Sequence, residues 1–119
     1  MLNLNHKKLH VWIQSLELVS EIYSLVEKFP QKELYVLSSQ LRRASVSVLS
    51  NIAEGSARKS KIERNRFYEI SRSSLVEIDS QIEIAIKLNY LNNTDIKKVE
   101  SSVEQIFKML SKMITTNSN

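Results

Sequence analysis

The chain has no cysteine, one glycine and one proline in 119 residues. Without cysteine there is no disulfide, no thiolate nucleophile and no cysteine-based metal site. Sheet proteins need many turns, and so little glycine and proline leaves few places to make them. Long helices are therefore expected. No apolar run approaches the ~18 residues needed to span a bilayer, so no membrane role is expected. Met1 to Lys8 lacks the apolar stretch of a secretory signal. These absences fit a reducing cytoplasm, which is the expected location.

What remains is ordinary for a globular protein: 42% hydrophobic and 25% charged residues. The length suits one domain, residues 1–119, with one modest core. Apolar periodicity divides it into four helices, at about 8–28, 30–56, 61–89 and 94–114. The first carries two adjacent stripes. One is Trp12, Leu16, Val19, Tyr23 and Val26; the other is Val11, Leu18, Ile22, Leu25 and Phe29. That face is wider than one pair of neighbouring helices needs, so part of it is expected at an oligomer interface. Leu18, Ile22 and Leu25 are the candidates for it.

Pro30 cannot continue the first helix but can open the second, where its missing N–H costs nothing. The second stripe is Leu34, Leu37, Leu41, Ala44, Val48 and Ile52. Serines crowd its other faces (Ser38, Ser39, Ser45, Ser47, Ser50), either solvated or admitting a close neighbour. Gly55 reads as a left-handed C-terminal cap. Ser60 to Glu63 is a capping box opening the third helix. Its core is read as Phe67, Ile70, Ser74, Ile78, Ile82 and Ala85, flanked by Leu75 and Ile86. Asn92, Asn93 or Thr94 caps the fourth helix, whose stripe is Ile96, Val99, Val103, Ile106, Leu110 and Met113. Thr115 to Asn119 reads as a frayed tail. Four long helices with short links predict an all-α, antiparallel up-down-up-down four-helix bundle.

Catalytic and metal motifs are missing. His6 and His10 are four apart but have no third ligand nearby, so they read as surface residues. No Glu-x-x-His occurs, which a di-iron bundle requires. No arginine precedes a histidine, so the Arg–His site of helical RNases is absent. One glycine cannot build a phosphate-cradling loop. Glu77, Asp79 and Glu83 follow helical spacing and read as solvated or paired. No enzyme, cofactor or metal is expected.

The charge is unevenly placed. Arg42 to Arg66 holds seven basic residues and two acidic ones, a net +5, whereas the whole chain is +4. The seven are Arg42, Arg43, Arg58, Lys59, Lys61, Arg64 and Arg66. Ten basic and eleven acidic residues make up the rest, a net −1. A basic cluster at a break between helices is where an anionic partner would dock, RNA or DNA above all. The competing reading pairs some of these cations with Glu54, Glu63 or Glu69, and Arg43 within the apolar second helix is the candidate for a structural role. Few aromatics border the window, so phosphate contact is expected to outweigh base stacking.

The stretch Gln40-Leu41-Arg42-Arg43-Ala44-Ser45-Val46-Ser47-Val48, followed by Asn51-Ile52-Ala53-Glu54-Gly55, resembles the signature of the four-helix-bundle proteins encoded in intervening sequences of bacterial 23S rRNA genes. Leu9-His10-Val11-Trp12 is similar to that family's opening element. Phe29-Pro30 with Glu33 and Tyr35 is similar to its first turn. The likeness spans roughly Leu9 to Met113. The chain departs from the pattern at Leu49, where many relatives carry proline, and at Asn89 and near Ser73, where many carry glycine. The resemblance implies a homopentamer and a relation to accessory proteins of diversity-generating retroelements. Two functions follow as expectations: RNA binding by a basic oligomer, or a protein adaptor, for instance for a reverse transcriptase.

Overall fold

The computed structural model describes residues 1–117. Four helices form: α1 (His10–Val26), α2 (Leu37–Ser56), α3 (Lys61–Lys87) and α4 (Lys97–Asn117). Short 3-10 turns at Asn5–Lys8 and Gln31–Glu33 precede α1 and α2. No strand occurs among the described residues. The 27 residues of α3 span about 40 Å at 1.5 Å each, close to the 44 Å long axis of the molecule.

Cross-helix contacts fix the directions. Gln14 bonds Gln105, Glu21 bonds Ser102 and Lys28 bonds Asp95, so α4 runs down as α1 runs up. Ser47 meets Ser74 and Ser56 meets Tyr68, which sets α2 against α3. Asn65 reaches the Ile114 carbonyl and Arg72 the Ser111 hydroxyl, which does the same for α3 and α4. The bundle is antiparallel.

The core follows the predicted stripes through most of α2 and α4. Leu41, Val48, Ile52, Ile106 and Leu110 are fully buried. In α3, Ile78, Ile82 and Ala85 are buried as read, but the first turns are rotated. Tyr68 and Ser71 face inward, while Ile70 is 43% exposed. Tyr68 turns in because its ring lies against Gly55. A Cβ at Gly55 would sit 2.7 Å from Tyr68 Cε1 and 3.1 Å from the Arg64 carbonyl oxygen. Gly55 is thus no left-handed cap. It lies inside α2, and the cap is Ala57 in the right-handed region. Its missing side chain lets α3 come close.

Two serine contacts also draw α2 and α3 together. Ser71 donates to the Val48 carbonyl at 2.8 Å, and Ser74 meets Ser47 at 2.9 Å. Ser47 is tied across the seam, whereas Ser45 donates to the Arg42 carbonyl of its own helix and Ser50 is exposed.

Several helix ends differ from expectation. Pro30 is extended (ψ 151°), and a 3-10 turn and an irregular link delay α2 to Leu37, leaving Leu34 39% exposed. α3 ends at Lys87 rather than Asn89, and Asn89 is the one left-handed non-glycine residue among those described (φ 63°). The Tyr90 amide then bonds back to the Ala85 carbonyl at 2.9 Å. Asparagine tolerates that conformation better than most residues. Thr115 and Thr116 continue α4 rather than fraying; Ser118 and Asn119 lie outside the described residues. α4 starts at Lys97 rather than near Thr94; in the turn before it Asn92 and Asp95 accept each other's amides at 2.9 Å.

The α1 stripes are assigned opposite to expectation. Leu18 and Ile22 are 0% exposed and Leu25 is 5% exposed, so all three pack in the protomer core and offer no surface to a second copy. The two stripes are similarly apolar, and the positions of α2 and α4 decide between them. The exposed face carries Ile13, Leu16 and Tyr23.

Candidate nucleic-acid interface

The α2–α3 junction is short, four residues between Ser56 and Lys61. α2 closes at Ser56, and Ser60 caps α3 by accepting the Glu63 amide at 3.4 Å. Arg64, half-buried, reaches back with one guanidinium nitrogen to the Arg58 and Lys59 carbonyls, at 3.0 and 3.1 Å. It satisfies carbonyls of the turn that have no helical partner. Arg58 pairs with Glu54 at 2.8 Å and lies over the Phe67 ring, 5.1 Å from its centroid. Lys59, Lys61 and Arg66 are exposed and form no ion pair with another described residue.

The seven predicted cations do not converge. Arg42 and Arg43 lie near the start of α2, and Arg58 lies just beyond its end. That separates them by about 20 Å along the axis. Compactness in sequence misled here, because a helix carries charge away from its neighbours at 1.5 Å per residue. Arg42 is structural: it donates to the Leu34 carbonyl at 3.1 Å and covers the Tyr23 ring. Arg43, read as the structural residue, is exposed beside Gln40, Ser47 and Glu77. The local Arg66–Glu69 pair does not form; Arg58–Glu54 does.

What remains is denser. Arg58 to Arg66 holds five basic residues and one acidic one. Nine residues therefore carry +4, the net charge of the whole chain. The placement opposes local helix electrostatics. A helix N-terminus favours anions, yet the first turns of α3 carry Lys61, Arg64 and Arg66. Nothing in the bundle's own packing calls for Lys59, Lys61 or Arg66.

Antiparallel topology brings further cations to this end. A cleft of about 490 Å³ is lined by Asn5, His6, Ser56, Arg64, Tyr68 and Lys112. Lys7 and Lys8 lie in the turn beside it. Sequence reasoning missed Lys7, Lys8 and Lys112, which are far from the window in the chain. The signal was available: in an up-down bundle the start of α1 and the end of α4 meet the α2–α3 turn. His6 stacks at a tilt against Trp12, with 5.3 Å between centroids, and His10 is exposed. No group of acidic or histidine residues suited to a metal occurs among the described residues. No described helix is long and apolar enough to cross a membrane.

Comparison with known proteins places this geometry in a family. A crystal structure of a protein of unknown function from the S23 ribosomal protein family of Bacteroides thetaiotaomicron superposes with a TM-score of 0.78. It shares 22% identity and covers 87% of this chain and 97% of that one. At that identity the likeness speaks for the fold alone. No curated protein matches. The family model for the 23S rRNA-intervening sequence protein matches residues 7–112. The chain belongs to the 23S rRNA-intervening sequence protein family.

Proposed function

We propose that the chain is a non-enzymatic, oligomeric nucleic-acid-binding protein of the cytoplasm that holds RNA at the α2–α3 end of its bundle. One observation carries this reading. The full net charge of the chain sits on nine residues at a helix start that electrostatically prefers anions. Like charges held together cost stability, and an RNA backbone offsets that cost while releasing its own counterions. Arg64 holds the turn, while Lys59, Lys61 and Arg66 reach phosphate. Phe67 is covered by Arg58, so base stacking contributes little and sequence preference is weak. Assembly as a homo-oligomer, a pentamer by resemblance to the family, would repeat the patch around a ring. The exposed Ile13, Leu16 and Tyr23 face of α1 is the surface available for that contact.

Fluorescence anisotropy with a labelled single-stranded RNA tests the reading. The parent is expected to bind with steep salt dependence. Changing Lys59, Lys61 and Arg66 together to Glu should weaken binding about tenfold or more at low salt and flatten the log–log slope by about 2, near 0.7 per phosphate contact. Helicity should not change, because none of the three makes a packing contact that the fold requires. Reversing Lys32, Lys97 and Lys98 at the opposite end should leave binding intact. If the parent binds no RNA, or the two variants behave alike, the patch is not a nucleic-acid site.

A further inference from the structure

A second surface on the molecule has the opposite charge. Between α3 and α4 runs a groove of about 380 Å³, floored by Leu75, Val76, Val99, Val103 and Phe107. Part of that floor is open: Val76 is 54% exposed and Phe107 39% exposed. Each wall carries two carboxylates one helical turn apart, Asp79 and Glu83 on α3, Glu100 and Glu104 on α4. Lys108 pairs with Glu104 at 3.2 Å, and the other three carboxylates have no ion-pair partner among the described residues. Like charges at i,i+4 weaken each helix. The groove runs along α4 from Ile96 to Lys108, about 18 Å.

We propose that this groove docks a cationic amphipathic helix of a protein partner. An apolar floor with acidic walls complements a helix with apolar residues at i, i+3/i+4 and i+7 flanked by Lys or Arg. The length fits about three turns of such a helix. A second copy of this chain fits poorly. On its exposed apolar α1 face Glu17 and Glu27 outnumber Arg42, which lies over Tyr23, so carboxylates would meet carboxylates. The proposal does not depend on RNA binding, since groove and basic end share no residue. It gives the molecule two faces, one for a phosphate backbone and one for a basic protein segment.

Two labelled probe peptides of about 14 residues, with the same leucine spacing and either Lys or Glu elsewhere, test this on the full chain by anisotropy. The Leu/Lys peptide is expected to bind and the Leu/Glu peptide not. E83K/E100K should weaken Leu/Lys binding at least tenfold with unchanged circular dichroism, because both side chains are exposed. K59E/K61E/R66E should leave peptide binding unchanged, which separates this result from failure of the RNA reading. Equal binding of the Leu/Lys peptide to parent and E83K/E100K overturns the proposal, as does absence of binding. So does a parent oligomer that V76K dissociates while neither peptide binds, since a second copy then fills the groove.

Discussion

The two ends of the bundle use charge in opposite ways. At the end where α1 meets α2 and α3 meets α4, charged groups tie the two turns together. Lys28 pairs with Asp95 at 2.7 Å, Tyr90 donates to the Glu33 carboxylate at 2.7 Å, and Phe29 lies against the Tyr90 ring. At the α2–α3 end, steric fit and carbonyl contacts join the helices, and the Arg58–Glu54 pair lies within one stretch of chain rather than between two turns. Gly55 admits Tyr68, Arg64 binds two carbonyls, and Lys59, Lys61 and Arg66 remain outside those contacts. Where charge is spent on the fold, opposite signs meet. The first end also exposes Lys32, Lys87, Lys97 and Lys98, but among Glu27, Glu33, Asp95 and Glu100, whereas Arg58 to Arg66 sets five basic residues against one acidic, and that asymmetry is what supports a binding role at one end.

The largest effect is expected from breaking the steric fit at the basic end. Gly55→Val puts a branched Cβ where Tyr68 and the Arg64 carbonyl already stand. Overpacking of this kind costs roughly 2–3 kcal/mol, measurable by urea unfolding. A left-handed cap would also resist Val, so the sign alone does not separate the two accounts. Gly55→Ala in a Tyr68→Ala background does. If the approach of the Tyr68 ring is the cause, Gly55→Ala costs less there than in the parent, since only the 3.1 Å approach to the Arg64 carbonyl oxygen remains.

Arg64→Lys comes next. It keeps the charge but replaces the guanidinium, one nitrogen of which bonds both carbonyls, with a shorter-reaching and more strongly hydrated ammonium. Stability is expected to fall by about 1 kcal/mol, while the slope of RNA affinity against salt stays as in the parent. Weaker RNA binding with unchanged stability would mean that the Arg64 guanidinium faces phosphate, and the division of labour at this end would need redrawing.

Much of this was legible in the sequence, and the misses have a common origin. Ser60 as a cap, Ser56 as the end of α2, and the α4 stripe all depend on neighbours within a turn or two. The errors arose where distant parts of the chain decide. Gly55 reads as a cap in the sequence because nothing local reveals Tyr68, thirteen residues on, lying against it. The two α1 stripes are nearly equal in apolar character, so only the placement of α2 and α4 puts Leu18, Ile22 and Leu25 inside. Arg42 and Arg43 looked close to Arg58 because a helix was counted in residues rather than in ångströms. Lys112 joined the basic end only once the helix directions were known.

The smallest effect concerns the other end and has a pH signature. Asp95 accepts hydrogen bonds from Lys28 Nζ and the Asn92 amide, at 2.7 and 2.9 Å. Lys28 first, and the Asn92 amide second, hold its carboxyl below the usual range. A carboxyl with a lowered folded value stabilises the fold above its unfolded value and loses that contribution as pH falls through the folded one. Asp95→Asn should therefore be less stable than the parent at pH 7, by less than Arg64→Lys. The gap should begin to close near pH 4, about the ordinary aspartate value, and vanish at lower pH. Glu21 moves oppositely: burial raises its carboxyl despite the bond from Ser102, so its contribution is lost as pH rises. Both proteins contain Glu21, and the difference between their urea midpoints isolates Asp95. A gap that stays constant from pH 7 to 2.5 would show that Asp95 acts through cap geometry alone. The contrast between an end that spends its charge on the fold and one that does not would then rest on Glu33 and Tyr90.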